Sequence, residues 1–255
     1  MNSIISFLTH TLIRSVGLAA LCITFSVPSQ AQTIISPEPT GTTYSVKPDY
    51  RKCAFPMCGG WFLTPVNQYS LQLQNEDEAY QSAALLPNSI YVAYINYKRL
   101  GLTEKQIAEL NSAIYSEQVL LRGTVINSPI SGRVIARSKT LAANGAWIGA
   151  NKNPAVGPYL KITSTGIFCI TTPCPYFKAA LLNSDYTREF HDLSLEKAEL
   201  SREQEARAWQ AISTEGLVMT GTTYETTGFD ESGAEPGKGI GIAATKVFFA
   251  FPAKQ

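Results

Sequence analysis

The feature that most restricts what this chain can fold into is a cysteine pattern that occurs twice. Cys53-Ala54-Phe55-Pro56-Met57-Cys58 and Cys169-Ile170-Thr171-Thr172-Pro173-Cys174 each separate two cysteines by four residues that include a proline. Asn67 and Asn183 each follow the second cysteine of their pair by nine positions. In an oxidising compartment four such cysteines make two disulfides. Three connectivities exist, and a duplicated unit that carries its own staple favours Cys53 with Cys58 and Cys169 with Cys174. Closing so short a loop is worth about 2 kcal/mol, so the bridges shape a loop more than they hold a fold. Four thiolates could instead bind zinc, but four intervening residues with an internal proline make a looser loop than the C-x2-C of tight zinc knuckles, and thiolates outside the cytoplasm tend to oxidise. A redox pair would take two intervening residues.

The fifth cysteine, Cys22, sits in an N-terminal leader. Arg14 is the leader's one Lys or Arg, Ser15 to Val27 is an apolar run, and Ser29-Gln30-Ala31 is a small-residue cleavage site. Residues 1–31 are therefore expected to be a signal peptide cut near Ala31, leaving Gln32 first and placing the chain in the periplasm or outside the cell. About 13 apolar residues fall short of the ~20 that span a bilayer. Of the 21 Lys+Arg and 20 Asp+Glu, removing Arg14 leaves 20 of each. A neutral chain argues against nucleic acid as a partner. It also argues against polybasic membrane attachment, so no membrane contact is expected once the leader is removed.

Residues 32–42 have a linker composition, and two β-rich copies are expected at 43–149 and 150–255. In each copy a short β-prone run precedes the cysteine loop and another follows it. Ile90 to Tyr97 is β-branched and aromatic, with Glu189 to Leu195 as its weaker counterpart. Both copies then switch to helix: Thr103 with Gln106 and Ser201 with Gln204 are capping boxes. Ile107, Leu110 and Ile114, and in the second copy Ala208, Ala211 and Ile212, fall on one helical face. A strand carrying Gly123-Thr124 or Gly221-Thr222 follows, and then a last strand in which Lys139 is aligned with Lys246. The spacing between copies is 116 at the cysteines, 98 at the helices and 107 at that last strand. Copy one thus gains 18 residues after Asn67, including Glu76-Asp77-Glu78, and copy two gains nine before its last strand, including Asp230-Glu231.

The fold expected is mainly β (α+β), two tandem copies of a five-stranded unit with one helix between strands three and four. That order is the order of the OB-like barrel.

Cys53-x-x-Pro56-x-Cys58-Gly59-Gly60 with Val66-Asn67, Gly101-Leu102-Thr103 and the Arg122-Gly123 strand resembles a family of secreted bacterial proteins known as a domain of unknown function. Gly166-Ile167-Phe168-Cys169 and Pro173-Cys174-Pro175 are similar to its second cysteine segment. The resemblance implies no reaction. In the second copy the proline stands beside the cysteine and Gly-Gly is absent.

After the leader His191 is the one histidine. It could serve a hydrolase with Glu189 or Asp192 to orient it, but Asp192 is its sequence neighbour and strand neighbours point to opposite faces. No G-x-S-x-G elbow is present. Gly233-Ala-Glu-Pro-Gly237-Lys238-Gly239 is one residue short of a phosphate loop and runs into a strand. No cofactor or metal site is expected.

These residues point first to an exported, non-catalytic binding module for an extracellular protein or glycan, a protease inhibitor being one form of it. The alternative is a secreted hydrolase using carboxylates or His191. The contact residues expected lie on the turn Gly59, Gly60, Trp61 and on the two insertions, at Glu76, Asp77, Glu78, Asp230 and Glu231, since loops on a repeated scaffold are where specific contacts arise.

Overall fold

A computed structural model describes residues 40–68, 89–128, 138–170, 173–227 and 237–252. The expected signal peptide (1–31), most of the expected 32–42 linker and both acidic insertions lie outside them. The chain is mainly β; the described residues form a large, mostly antiparallel sheet and two α-helices.

In the first half the elements run β1 (Thr42–Pro48), β2 (Trp61–Pro65), β3 (Ile90–Val92), β4 (Tyr94–Asn96), a 3-10 turn (Lys98–Leu100), α1 (Glu104–Tyr115), β5 (Val119–Ser128) and β6 (Ser138–Gly149). The second half repeats them as β7 (Tyr159–Ser164), β8 (Phe177–Leu181), β9 (Thr187–Phe190), β10 (Asp192–Ser194), a 3-10 turn (Glu196–Ala198), α2 (Arg202–Ser213), β11 (Leu217–Thr227) and β12 (Lys238–Ala250). The run expected as one third strand is two strands in each half, parted by Ala93 and by His191. Both helices open on the capping boxes expected of Thr103 with Gln106 and Ser201 with Gln204. Each buries a short apolar face, Leu110 with Ile114 and Ala208 with Ile212.

The strand order is β3-β2-β1-β5-β6-β12-β11-β7-β8-β9, with β4 pairing β6 and β10 pairing β12 in parallel. Within each half this is the connectivity of the OB type, with a helix between the third and fourth strands. The sheet is not closed into a barrel, however. A ladder links β3 to β2 and another links β4 to β6, and between them stands a bend at Ala93, whose N–H donates to Lys139 O at 2.9 Å. At the same bend in the second half His191 N–H donates to Ile240 O at 2.9 Å.

The order is a palindrome, and the register shows why. β6 meets β12 through Trp147↔Ala250, Ile148↔Phe249 and Gly149↔Phe248. Positions 101 apart exchange places in this pairing, so the Ile148–Phe249 pair stands at its centre. Cross-strand register also places Ala143 opposite Gly123 and Ala244 opposite Gly221. The last strands therefore correspond at a spacing of 101. This corrects the 107 taken from sequence, where Lys139 and Lys246 matched by chance of composition. Lys246 corresponds to Gly145, and the second half gains three residues there (101 less 98), not nine.

Each half has its own apolar core. One gathers Val46, Leu63, Leu110, Ile114, Leu121 and Leu141; the other gathers Leu160, Ile162, Phe190, Ile212, Met219 and Ile242. A third, smaller cluster of Val66, Leu120, Val218 and Phe248, with Trp147, Tyr159 and Leu182 against it, joins residues of both halves. Residues 38–255 accordingly form one compact unit.

The asparagines that follow each cysteine pair lock the halves to one another. Asn67, at φ 54°, donates from Nδ2 to Tyr159 O at 2.6 Å and Leu182 O at 3.0 Å, and its Oδ1 accepts from Tyr159 N at 2.9 Å. Asn183, at φ 62°, does the same in return: Nδ2 to Thr43 O and Val66 O, both 2.8 Å, and Oδ1 from Thr43 N at 2.7 Å. Asparagine suits the place because it tolerates a left-handed backbone and carries both donor and acceptor. The strand ends are exchanged as well. Ala150 N donates to Val247 O at 2.8 Å and Phe251 N to Ala146 O at 2.9 Å, so the residue after each last strand is held by the other half.

A candidate contact surface on the cysteine loops

Both cysteine loops connect the first two strands of their half, and each is bridged locally, Cys53 to Cys58 and Cys169 to Cys174, with Cα atoms 5.6 and 5.7 Å apart. The second cysteine of each bridge is buried and the first is exposed, so each bridge pins an exposed tip to the sheet.

Loop one is built on a buried carboxylate. Asp49 N donates to Gly60 O at 2.9 Å, which places the Asp49 side chain under the loop, out of contact with solvent. It accepts from Arg51 N at 3.0 Å, Arg51 Nε at 2.9 Å and Arg51 Nη2 at 2.9 Å. The hydrogen-bonded Arg51 guanidinium holds the Asp49 carboxyl below its ordinary value of 3.8. Arg51 Nη2 also donates to Met57 O at 3.1 Å, and its guanidinium carbon lies 5.2 Å from the ring centres of both Phe62 and Tyr91. Tyr91 OH donates to Pro56 O at 3.0 Å, and burial raises the pKa of that hydroxyl. The loop backbone is thus fixed from beneath, while Tyr50, Phe55 and Met57 remain 70, 50 and 69% exposed. Phe55 stands edge-on to exposed Tyr94 of β4 at 5.1 Å.

Loop two is held differently. Thr165 and Ile167 occupy the places of Asp49 and Arg51, so the ion pair is absent. In its place Thr165 Oγ1 donates to Pro175 O at 2.7 Å and accepts from Ile167 N at 3.2 Å. Thr165 N donates to Tyr176 O at 2.9 Å, the equivalent of the Asp49 to Gly60 bond. The tip consists of Ile167, Phe168 and Ile170; Phe168 is 92% exposed and Ile170 is fully exposed.

The structure divides the sequence candidates. Gly59 is exposed on the turn, but Gly60 is buried with Val92 O against the place a Cβ would take. Trp61 is half-buried, packing on the first core and 5.5 Å from the Tyr115 ring, so it supports the loop from the core side. Glu76, Asp77, Glu78, Asp230 and Glu231 lie outside the described residues. The residues that sequence reasoning passed over are the apolar ones at the tips and the Asp49–Arg51 pair beneath loop one.

His191 is placed for structure. Its Nδ1 accepts from Ile240 N at 3.0 Å, so that nitrogen carries no proton to offer a carboxylate as a catalytic triad requires. Asp192 instead accepts from Tyr224 OH at 2.6 Å and from Leu193 N at 2.8 Å, while Glu189 stands opposite Lys178 in the β8–β9 ladder. Burial and the Asp192 carboxylate raise the pKa of Tyr224. Among the described residues no three His, Cys, Asp or Glu side chains gather where they could hold a metal ion. Among them too, no helix is long and apolar enough to cross a membrane.

A family profile matches residues 42–252, from the start of β1 to just past β12. The chain belongs to the family described as Domain of unknown function (DUF6748). The match spans both halves, so in this family the duplicated scaffold with its two cysteine loops is one unit of description. No curated protein and no solved structure matches the chain.

Proposed function

We propose that this member of the family is an exported, non-catalytic binding module that grips an extracellular protein through loop one. The observation that carries the reading is the Tyr50–Phe55–Met57–Tyr94 cluster, exposed on a loop whose backbone is fixed by a disulfide and by the Asp49–Arg51 pair. Rigid aromatic and methionine side chains beside an arginine are the composition of interface centres, and prior fixation of the loop lowers the entropy lost on binding. A leader of signal-peptide form and two disulfides support export. A protease inhibitor, which presents a stapled loop to a cleft, is one form of this reading.

The test compares the mature protein with a Phe55→Ser/Met57→Ser variant for capture of partners from the envelope and culture fractions of the producing cell. A partner retained by the wild type and by His191→Ala, but lost by the loop-one variant, is the expected result. Equal capture by the loop-one variant would overturn the reading. A hydrolytic activity abolished by His191→Ala would establish the rival one.

A further inference from the structure

We propose that Met57 is an oxidation site for hydroperoxides, and that its sulfoxide weakens the contact made by loop one. The chain holds three methionines: Met1 in the leader, Met57 and Met219. Met57 is 69% exposed on loop one, whereas Met219 is fully buried in the second core with Leu160, Phe190 and Ile242. All four cysteines outside the leader are held in disulfides, so no thiol competes for the oxidant. Met57 therefore carries the one exposed thioether among the described residues, in a chain whose disulfides belong to an oxidising compartment.

The step is an oxygen transfer. The thioether sulfur attacks the terminal oxygen of the hydroperoxide, and an S–O bond forms as the O–O bond breaks. The departing oxygen takes the bonding pair and then the hydroxyl proton, leaving as water or an alcohol. Sulfur is oxidised by one electron pair and the peroxide is reduced by it. The surrounding loop has no need to move. Met57 N donates to Ala54 O at 3.0 Å and Met57 O accepts from Arg51 Nη2 at 3.1 Å, and neither bond involves the sulfur. The next residue, Cys58, is buried and bridged. Oxidation thus leaves the loop its shape and turns an apolar, adaptable side chain into a polar acceptor on the surface that also presents Phe55 and Tyr94. The modification stands on exposure and chemistry alone; its effect on binding rests on the reading of loop one as a contact surface.

The experiment titrates the exported, disulfide-bonded protein with hydrogen peroxide and follows intact mass and peptide maps. The first oxygen is expected on Met57, taken up about tenfold faster or more than by buried Met219. Met57→Leu should take up none at that dose, and the singly oxidised protein should unfold at the same temperature as the untreated one. After the peroxide is removed, capture from envelope and culture fractions should be lower by about tenfold or more. It should return after treatment with the methionine sulfoxide reductases for both sulfoxide epimers. In Met57→Leu, peroxide should leave the captured amount where it stood before treatment. The proposal is overturned if oxygen enters another residue first, if the oxidised protein captures as much as the untreated one, or if peroxide lowers capture equally in Met57→Leu. It is also overturned if oxidation lowers the unfolding temperature, which would make the effect one of folding. An untreated wild type that captures nothing overturns the reading of loop one and the switch with it; oxygen on another residue with capture intact overturns the switch alone.

Discussion

Replacing Asn67 by glycine isolates the bond that joins the two halves. Asn67 holds φ 54°, which glycine adopts without strain, so the substitution removes the side chain's three hydrogen bonds and leaves the backbone conformation free. The bonds lost are those to Tyr159 O, Leu182 O and Tyr159 N, all belonging to the other half. Net values near 1 kcal/mol per bond, reduced for partial access of water, give a loss of about 2–3 kcal/mol. For a chain of this size that is about 5–10 °C in Tm. Asn67→Ala should cost about 1 kcal/mol more, because alanine resists the left-handed backbone. Urea unfolding of the wild type and both variants, followed by tryptophan fluorescence, measures all three. The reasoning is refuted if Asn67→Gly costs less than about 0.5 kcal/mol, or if glycine and alanine are equally costly.

Three further perturbations bear on other parts of the account. Gly157 has φ 90°, and a Cβ there would stand 2.1 Å from Gly221 O; Gly157→Ala should destabilise by more than about 2 kcal/mol, measured by thermal unfolding, since backbone would have to move. Lys246 is buried, donates to Gln118 Oε1 and Asn153 O, and has its pKa lowered below 10.5 by burial. The unfolded chain therefore binds the proton more tightly, and folding is favoured as pH rises through the lowered value towards 10.5. Stability measured against pH should thus improve for wild type relative to Lys246→Met on moving from neutral pH towards that value. Asp49 has the same sign of pH dependence, in the acid range. Its carboxyl is held below 3.8 by Arg51, so its contribution is complete above 3.8 and is lost as pH falls through the lowered value. Loss of the downfield Arg51 Nε–H signal should follow that titration, and Asp49→Asn should abolish the dependence.

Much of the scaffold was legible in the sequence, and for identifiable reasons. The capping boxes at Thr103 and Ser201 are local devices whose partners lie three residues away, so they survive without knowledge of the fold. The duplication was legible because cysteine, asparagine and glycine mark places of special geometry. Gly123 and Gly221, matched in sequence, stand at equivalent bulges, and Gly41 and Gly157 cross close over them. The registration of the last strand failed because β6 and β12 are buried apolar runs in which many alignments score alike; only cross-strand pairing sets the spacing at 101. The order of strands and helix along each half was legible, but the expected barrel does not form, and the bend at Ala93 and His191 is announced by no residue type.

The contact surface was less legible. Gly59, Gly60 and Trp61 drew attention as a turn, yet Gly60 and Trp61 serve the packing of β2 on β3 and on the core. Phe55, Met57, Phe168 and Ile170 look like core residues by composition. They stand in solvent on loops whose second cysteine alone of each bridge is buried. The pairing of Asp49 with Arg51 had a local signal, two residues of opposite charge two positions apart, but its packing depends on Phe62 and Tyr91 from other strands.

The central claim, that loop one is a protein-contacting surface, is tested most directly by placing a photo-crosslinking residue at position 57 in the producing cell and irradiating. Position 109 on the exposed face of α1 serves as the control. The account predicts a discrete adduct with an extracytoplasmic protein from position 57, absent from position 109 and lost when Phe55→Ser is added. No adduct from position 57, or one that persists unchanged with Phe55→Ser, would contradict it.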